Sequence, residues 1–116
     1  MARSELPPWA ESLPYALMVC DRRFRLTYMN RRAERLTRKY GGRRLLGTDL
    51  LGCHPPEAQI RLKRILASGR SSVRIQRKGR TAFLTWDSVW TRNGRIGGLV
   101  EVHMRLPNRV LEGFQS

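Results

Sequence analysis

The chain has 116 residues, 41% of them apolar, with three each of Trp, Tyr and Phe. That suffices for one domain with a core, leaves no room for a second, and is too apolar for a disordered chain. A formal charge of +14 makes nucleic acid, phospholipid or an acidic protein surface the electrostatic default among partners. The excess is mostly arginine, which phosphate or carboxylate recognition would favour and genome composition alone also produces. No apolar run reaches bilayer length, and the opening MARSELPPWAESLP lacks the apolar core of a signal peptide, so a cytoplasmic protein with no membrane partner is expected. Cys20 and Cys53 fit neither CxxC nor zinc-finger spacing, which argues for reduced thiols and against a disulfide framework or a structural zinc site.

Residues 1–12 read as an N-terminal cap, a short helical turn around Pro7 and Pro8 whose Trp9 and Leu13 dock on something apolar. Tyr15–Cys20 and Phe24–Met29 are strand-like runs joined by a loop of hairpin length. Asn30 has N-cap chemistry, and Ala33, Leu36, Thr37 and Tyr40 recur at helical spacing before Gly41, predicting a helix to Tyr40. Arg31, Arg35 and Arg38 fall on its opposite face, either as a solvated helix face or as an anion- or partner-binding stripe. After a loop from Leu45, Pro55 and Pro56 suit the entry of a second helix, Glu57–Ser68, which buries Ala58, Leu62, Ile65 and Leu66. Three strand-like segments close the chain, Ser72–Gln76, Thr81–Trp90 and Arg95–Met104, the last two joined by the tight-turn pair Asn93-Gly94.

The segment Cys53-His54-Pro55-Pro56 sets a thiol and an imidazole at the mouth of the second helix, where side chains and free backbone N–H groups meet a ligand, an anion or a metal. Adjacent side chains on an irregular segment point apart, so Cys53 and His54 are no catalytic dyad. No Ser/His/Asp arrangement or phosphate-cradling glycine loop is present, and no enzyme activity or catalytic residue is expected. His54, His103 and Cys53 are of types that ligate haem iron, but the c-type attachment motif is missing, and the cofactor is left open.

The order β-β-α-α-β-β-β, with Leu13–Asp21, Tyr28–Leu36 and Asn93–Val102, resembles a PAS domain over most of the chain, and the Cys-His-Pro-Pro segment resembles one PAS subgroup. The resemblance implies an α+β fold over residues 13–106, a five-stranded antiparallel sheet with helices covering one face, and a tail from 107 to 116. It also implies a sensory module that binds a small ligand between sheet and helices and signals through a homodimer or a partner protein. Strand parity is ambiguous on the residues alone, since alternation by itself would bury Val100, Val102 and Met104. The resemblance implies the reverse: Leu84, Trp86, Leu99, Glu101 and His103 face the pocket with Cys53 and His54, while Trp9, Val100, Val102 and Met104 become interface contacts. A buried Glu101 then needs His103, an arginine or a ligand as partner, or a proton. The alternative is a ligand-free interaction module whose basic helix, residues 31–39, docks on a protein or on nucleic acid.

Overall fold

The computed structural model describes residues 6–107 and 109–110. Five strands form one antiparallel sheet: β1 (Ala16–Asp21), β2 (Leu26–Met29), β3 (Ser72–Lys78), β4 (Thr81–Arg92) and β5 (Arg95–Leu106), in the spatial order β2-β1-β5-β4-β3. Two helices, α1 (Arg31–Leu36) and α2 (Pro56–Ser68), lie in the crossover between β2 and β3. The fold class is the α+β arrangement expected. The expected tail from 107 falls, apart from Pro107, Arg109 and Val110, outside the described residues, as do the first five residues of the cap.

The turn from β2 into α1 is organised by Asn30, which is wholly buried. Its Oδ1 accepts from the backbone N–H of Ala33 as an N-cap and from that of Leu17, each at 3.0 Å, while its Nδ2 donates to the carbonyls of Ala10 and Tyr15. One amide thereby satisfies a helix start, a strand edge and the cap together. The cap itself is a 3-10 turn, Pro8–Ser12, that buries Ala10 and leaves Trp9 62% exposed, so the expected docking of Trp9 does not occur among the described residues. Arg43 ties the cap down by pairing with Glu11 and, at 2.8 Å, with Glu34.

The first helix is shorter than its periodicity predicts. The Thr37 hydroxyl donates back to the Ala33 carbonyl at 2.8 Å, and the chain continues as 3-10 turns over Arg38–Tyr40 and Gly42–Leu45. Leu36 and Tyr40 consequently miss the core and remain largely exposed. The second helix is close to its reading: Pro56 occupies its first turn, Ala58, Leu62 and Ile65 are buried while Leu66 is only partly so, and Gly69 closes it in the left-handed conformation. Leu62 and Ile65 pack with Cys20, Phe24 and Leu99, joining helix to sheet.

The β4–β5 hairpin decides which side chains face those helices. Asn93 and Gly94 both take positive φ, at 52° and 77°, the geometry of a two-residue hairpin turn. Continued without interruption, that turn would pair Trp86 with Glu101 and Leu84 with His103. A bulge between Trp90 and Thr91 inserts one extra residue in β5, so that Asp87 pairs with Glu101 and Thr85 with His103. Two glycines permit it. A Cβ on Gly97 would stand 2.2 Å from the Trp90 ring, and one on Gly98 would stand 1.9 Å from the Cys20 carbonyl oxygen. With the space left open, the Trp90 indole N–H donates to that same carbonyl at 2.9 Å.

Candidate functional site: a polar floor in an apolar cavity

A cavity of about 680 Å³ lies between the helical segment and the inner face of the sheet. Its apolar wall includes Met18, Leu26, Leu36, Leu45 and Leu50, and its floor carries Asp87 and Glu101 side by side with Thr85 and His103 in the next row. Cys53 and His54 close one side, at the end of a 3-10 turn over Leu50–Cys53. His54 is fixed there, because its Nδ1 lies 2.7 Å from the Leu50 carbonyl and must be the protonated nitrogen to donate to it. An open depression beside the β4–β5 turn, lined by Trp90, Arg92 and Ile96, lies away from these groups.

Of the seven residues expected at the ligand, Cys53, His54, Leu99, Glu101 and His103 line the cavity. Leu84 and Trp86 do not. Cross-strand partners in an antiparallel ladder share a face, so once the bulge sets Asp87 opposite Glu101, Leu84 and Trp86 must point outward. They join Val102 and Met104 on the outer face, where Val73, Ile75 and Trp86 are each about half exposed. Val100 shares that face, while Trp9 stands exposed on the cap. Arg31, Arg35 and Arg38 are exposed on α1 and the turn after it.

The residue that sequence reasoning missed is Asp87, 1% exposed at the centre of the floor. Its signal was present: it is the single charged residue in an otherwise neutral run from Thr81 to Trp90. Burial, then the charge of Asp87, then a hydrogen bond with it push the Glu101 carboxyl up to about 8, against the opposing pull of Arg74 and Arg61. Near neutral pH Glu101 thus holds its proton. Burial, followed by Lys78 and Arg74, lowers the His103 pKa below the ordinary histidine value. The neutral imidazole sits 2.9 Å from the Thr85 hydroxyl and stacks on Phe83 with ring centroids 5.3 Å apart. Burial raises the Cys20 thiol to about 11, which leaves it unreactive as a thiolate nucleophile. Among the described residues no group of three or more His, Cys, Asp or Glu is placed to hold a metal ion, and no helix is long and apolar enough to cross a membrane.

Five antiparallel strands in the order β2-β1-β5-β4-β3, with a cavity between the sheet and short helices, are the architecture of a family of sensory and signalling modules. Residues 10–70, just over half the chain, match the model of the PAS domain, and the chain belongs to that family. Solved structures agree on the fold. A C-terminal domain from Streptococcus mutans superposes with a TM-score of 0.69 at 15% identity, covering 89% of this chain and 84% of that one. A sensory box sensor histidine kinase from Vibrio cholerae gives 0.60 at 15% identity over 82% and 84%. The PAS domain of Bordetella pertussis BvgS gives 0.56 at 15% identity over 91% and 88%. No curated protein matches the sequence.

Proposed function

We propose that residues 13–106 form a PAS sensory domain that binds a small molecule in the cavity and transmits occupancy to a second copy of the chain or to a signalling partner through the outer face of the sheet. The observation that carries the reading is a roomy apolar cavity whose floor is a buried carboxyl pair, Asp87 and Glu101. A floor built for stability alone would be apolar, since a buried acid without donors is costly. Cys53 and His54, in the Cys-His-Pro-Pro segment, stand at the wall where a ligand enters contact. The outer face supplies the output, with Trp86, Val100, Val102 and Met104 as sheet contacts and Trp9 as the contact from the cap. The two free thiols fit a cytoplasmic setting. The domain acts by binding rather than by catalysis.

Native mass spectrometry of freshly purified protein, compared with the denatured mass, tests this directly. A small-molecule adduct on a dimer is the expected result, and a bare monomer that gains no adduct from a cell extract would overturn it. A second reading, in which exposed Arg31, Arg35 and Arg38 dock on an acidic partner, predicts binding that falls steeply with salt, whereas occupancy of the cavity by an uncharged ligand is nearly insensitive to it.

A further inference from the structure

Neither Asp87 oxygen accepts a hydrogen bond from any N–H group among the described residues, although the side chain is buried and faces the cavity. Its one companion is the Glu101 carboxyl across the ladder, which leaves most of the accepting capacity of the pair unfilled. One row along the same face, on the neighbouring strand, Arg74 also lines the cavity. Its buried Nε has no acceptor, and no ion pair joins it to Asp87. An acid and an arginine thus face one cavity with unused acceptors on one side and an unused donor on the other. Native proteins rarely leave buried polar atoms in that condition without a function for them.

We propose that the ligand is a compact, uncharged molecule with adjacent N–H and C=O groups, an amide, urea or lactam, whose N–H donates to Asp87 and whose carbonyl accepts from Arg74. The inference rests on the ligand-binding reading above and adds the chemical class. A cationic ligand would answer Asp87 but meet Arg74, Lys39 and Lys78 with like charge, and an anionic one would meet the Asp87 carboxylate with like charge on the floor. A hydrocarbon would leave both groups unpaired in a drier site, which carries the full desolvation penalty of each. The carbon body of the ligand lies against Met18, Leu26, Leu36 and Leu50, so that polar selection comes from the floor and affinity from the walls.

Three isosteric probes separate these cases: benzamide with both donor and acceptor, benzamidine with donors only, and benzoate with acceptors only. Amide chemical shifts of Asp87, Leu99 and Glu101, followed in NMR titrations at pH 7, give each affinity. Benzamide is expected to bind about tenfold more tightly than either of the others, the equivalent of one well-made hydrogen bond. Asp87→Asn should close the gap to benzoate, and Arg74→Met, a change at a half-buried site on an edge strand, should close the gap to benzamidine. The wild-type ranking stands as a test even where a variant fails to fold. A preference for benzamidine or benzoate, or equal binding of all three, would overturn the chemical class and leave the cavity a ligand site. Failure of all three to shift these residues at their solubility limits would overturn the ligand-binding reading itself.

Discussion

On the inner face of the sheet the central row runs Ser72, Asp87, Glu101, Met18, and on the outer face the row beside it runs Val73, Trp86, Val102, Leu17. The face covered by helices carries the acids, and the face turned outward carries the tryptophan and the branched aliphatics. An antiparallel sheet that answers only to its own stability has the opposite polarity, apolar toward the helices and polar toward water. The inversion is local, because further along the inner face Leu99, Cys20 and Leu26 are buried against Phe24, Leu50 and α2 in the usual way. It occurs where the cavity opens, and it is what a floor kept for a ligand and a back kept for a partner would require.

The comparison breaks most completely at its origin, the bulge in β5. Gly98→Val puts side-chain carbon into the Cys20 carbonyl and should cost about 4 kcal/mol or more, enough to prevent folding of a domain this size, as read by urea denaturation. The next largest effect is pH dependence. Because the folded pKa of Glu101 is raised from 4.5 to about 8, the native state holds a proton that the unfolded chain releases. The contribution of Glu101 to stability is therefore fully present below about pH 4.5 and is lost as the pH rises through about 8. A loss of about 2–4 kcal/mol across that window is expected in urea titrations. Glu101→Gln should flatten it, and an unchanged slope would remove the Glu101 proton from the account.

The outer face gives a smaller and different response. Trp86→Lys should change monomer stability by about 1 kcal/mol or less, because the side chain is half exposed, while weakening self-association about tenfold or more in sedimentation equilibrium. The smallest effect belongs to the basic stripe. Arg35→Gln with Arg38→Gln should leave stability within about 0.5 kcal/mol of wild type and leave ligand affinity unchanged, since both side chains are exposed. A loss of ligand affinity in that double variant would mean that the stripe belongs to the site.

The order of strands and helices was legible in the sequence because each element carries its own local signal: alternating apolar runs, Asn30 before a helical spacing, Pro56 at a helix entry, Asn93-Gly94 at a turn. The parity of β5 was also legible, through the family pattern. The parity of β4 was not. Counting back from Asn93-Gly94 through a regular ladder puts Trp86 beside Glu101, and only the extra residue at the bulge replaces it with Asp87. Gly97-Gly98 was the visible trace, but whether a glycine pair marks a bulge or a plain strand depends on what approaches it. Here that is the Trp90 ring and the Cys20 carbonyl, contacts 7 and 78 residues away along the chain. The length of α1 was misjudged for a similar reason, since apolar spacing persists through Tyr40 while the Thr37 hydroxyl ends the regular helix.

The central claim is that the floor of the cavity is polar for a ligand and not for the fold, and the melting temperature of ligand-free Asp87→Asn at pH 7.5 tests it most directly. Removing a buried acid that no N–H group answers should raise Tm by about 5 °C, as substitutions at function-bearing positions often do. A fall in Tm would show that Asp87 holds the sheet together, and would contradict the account.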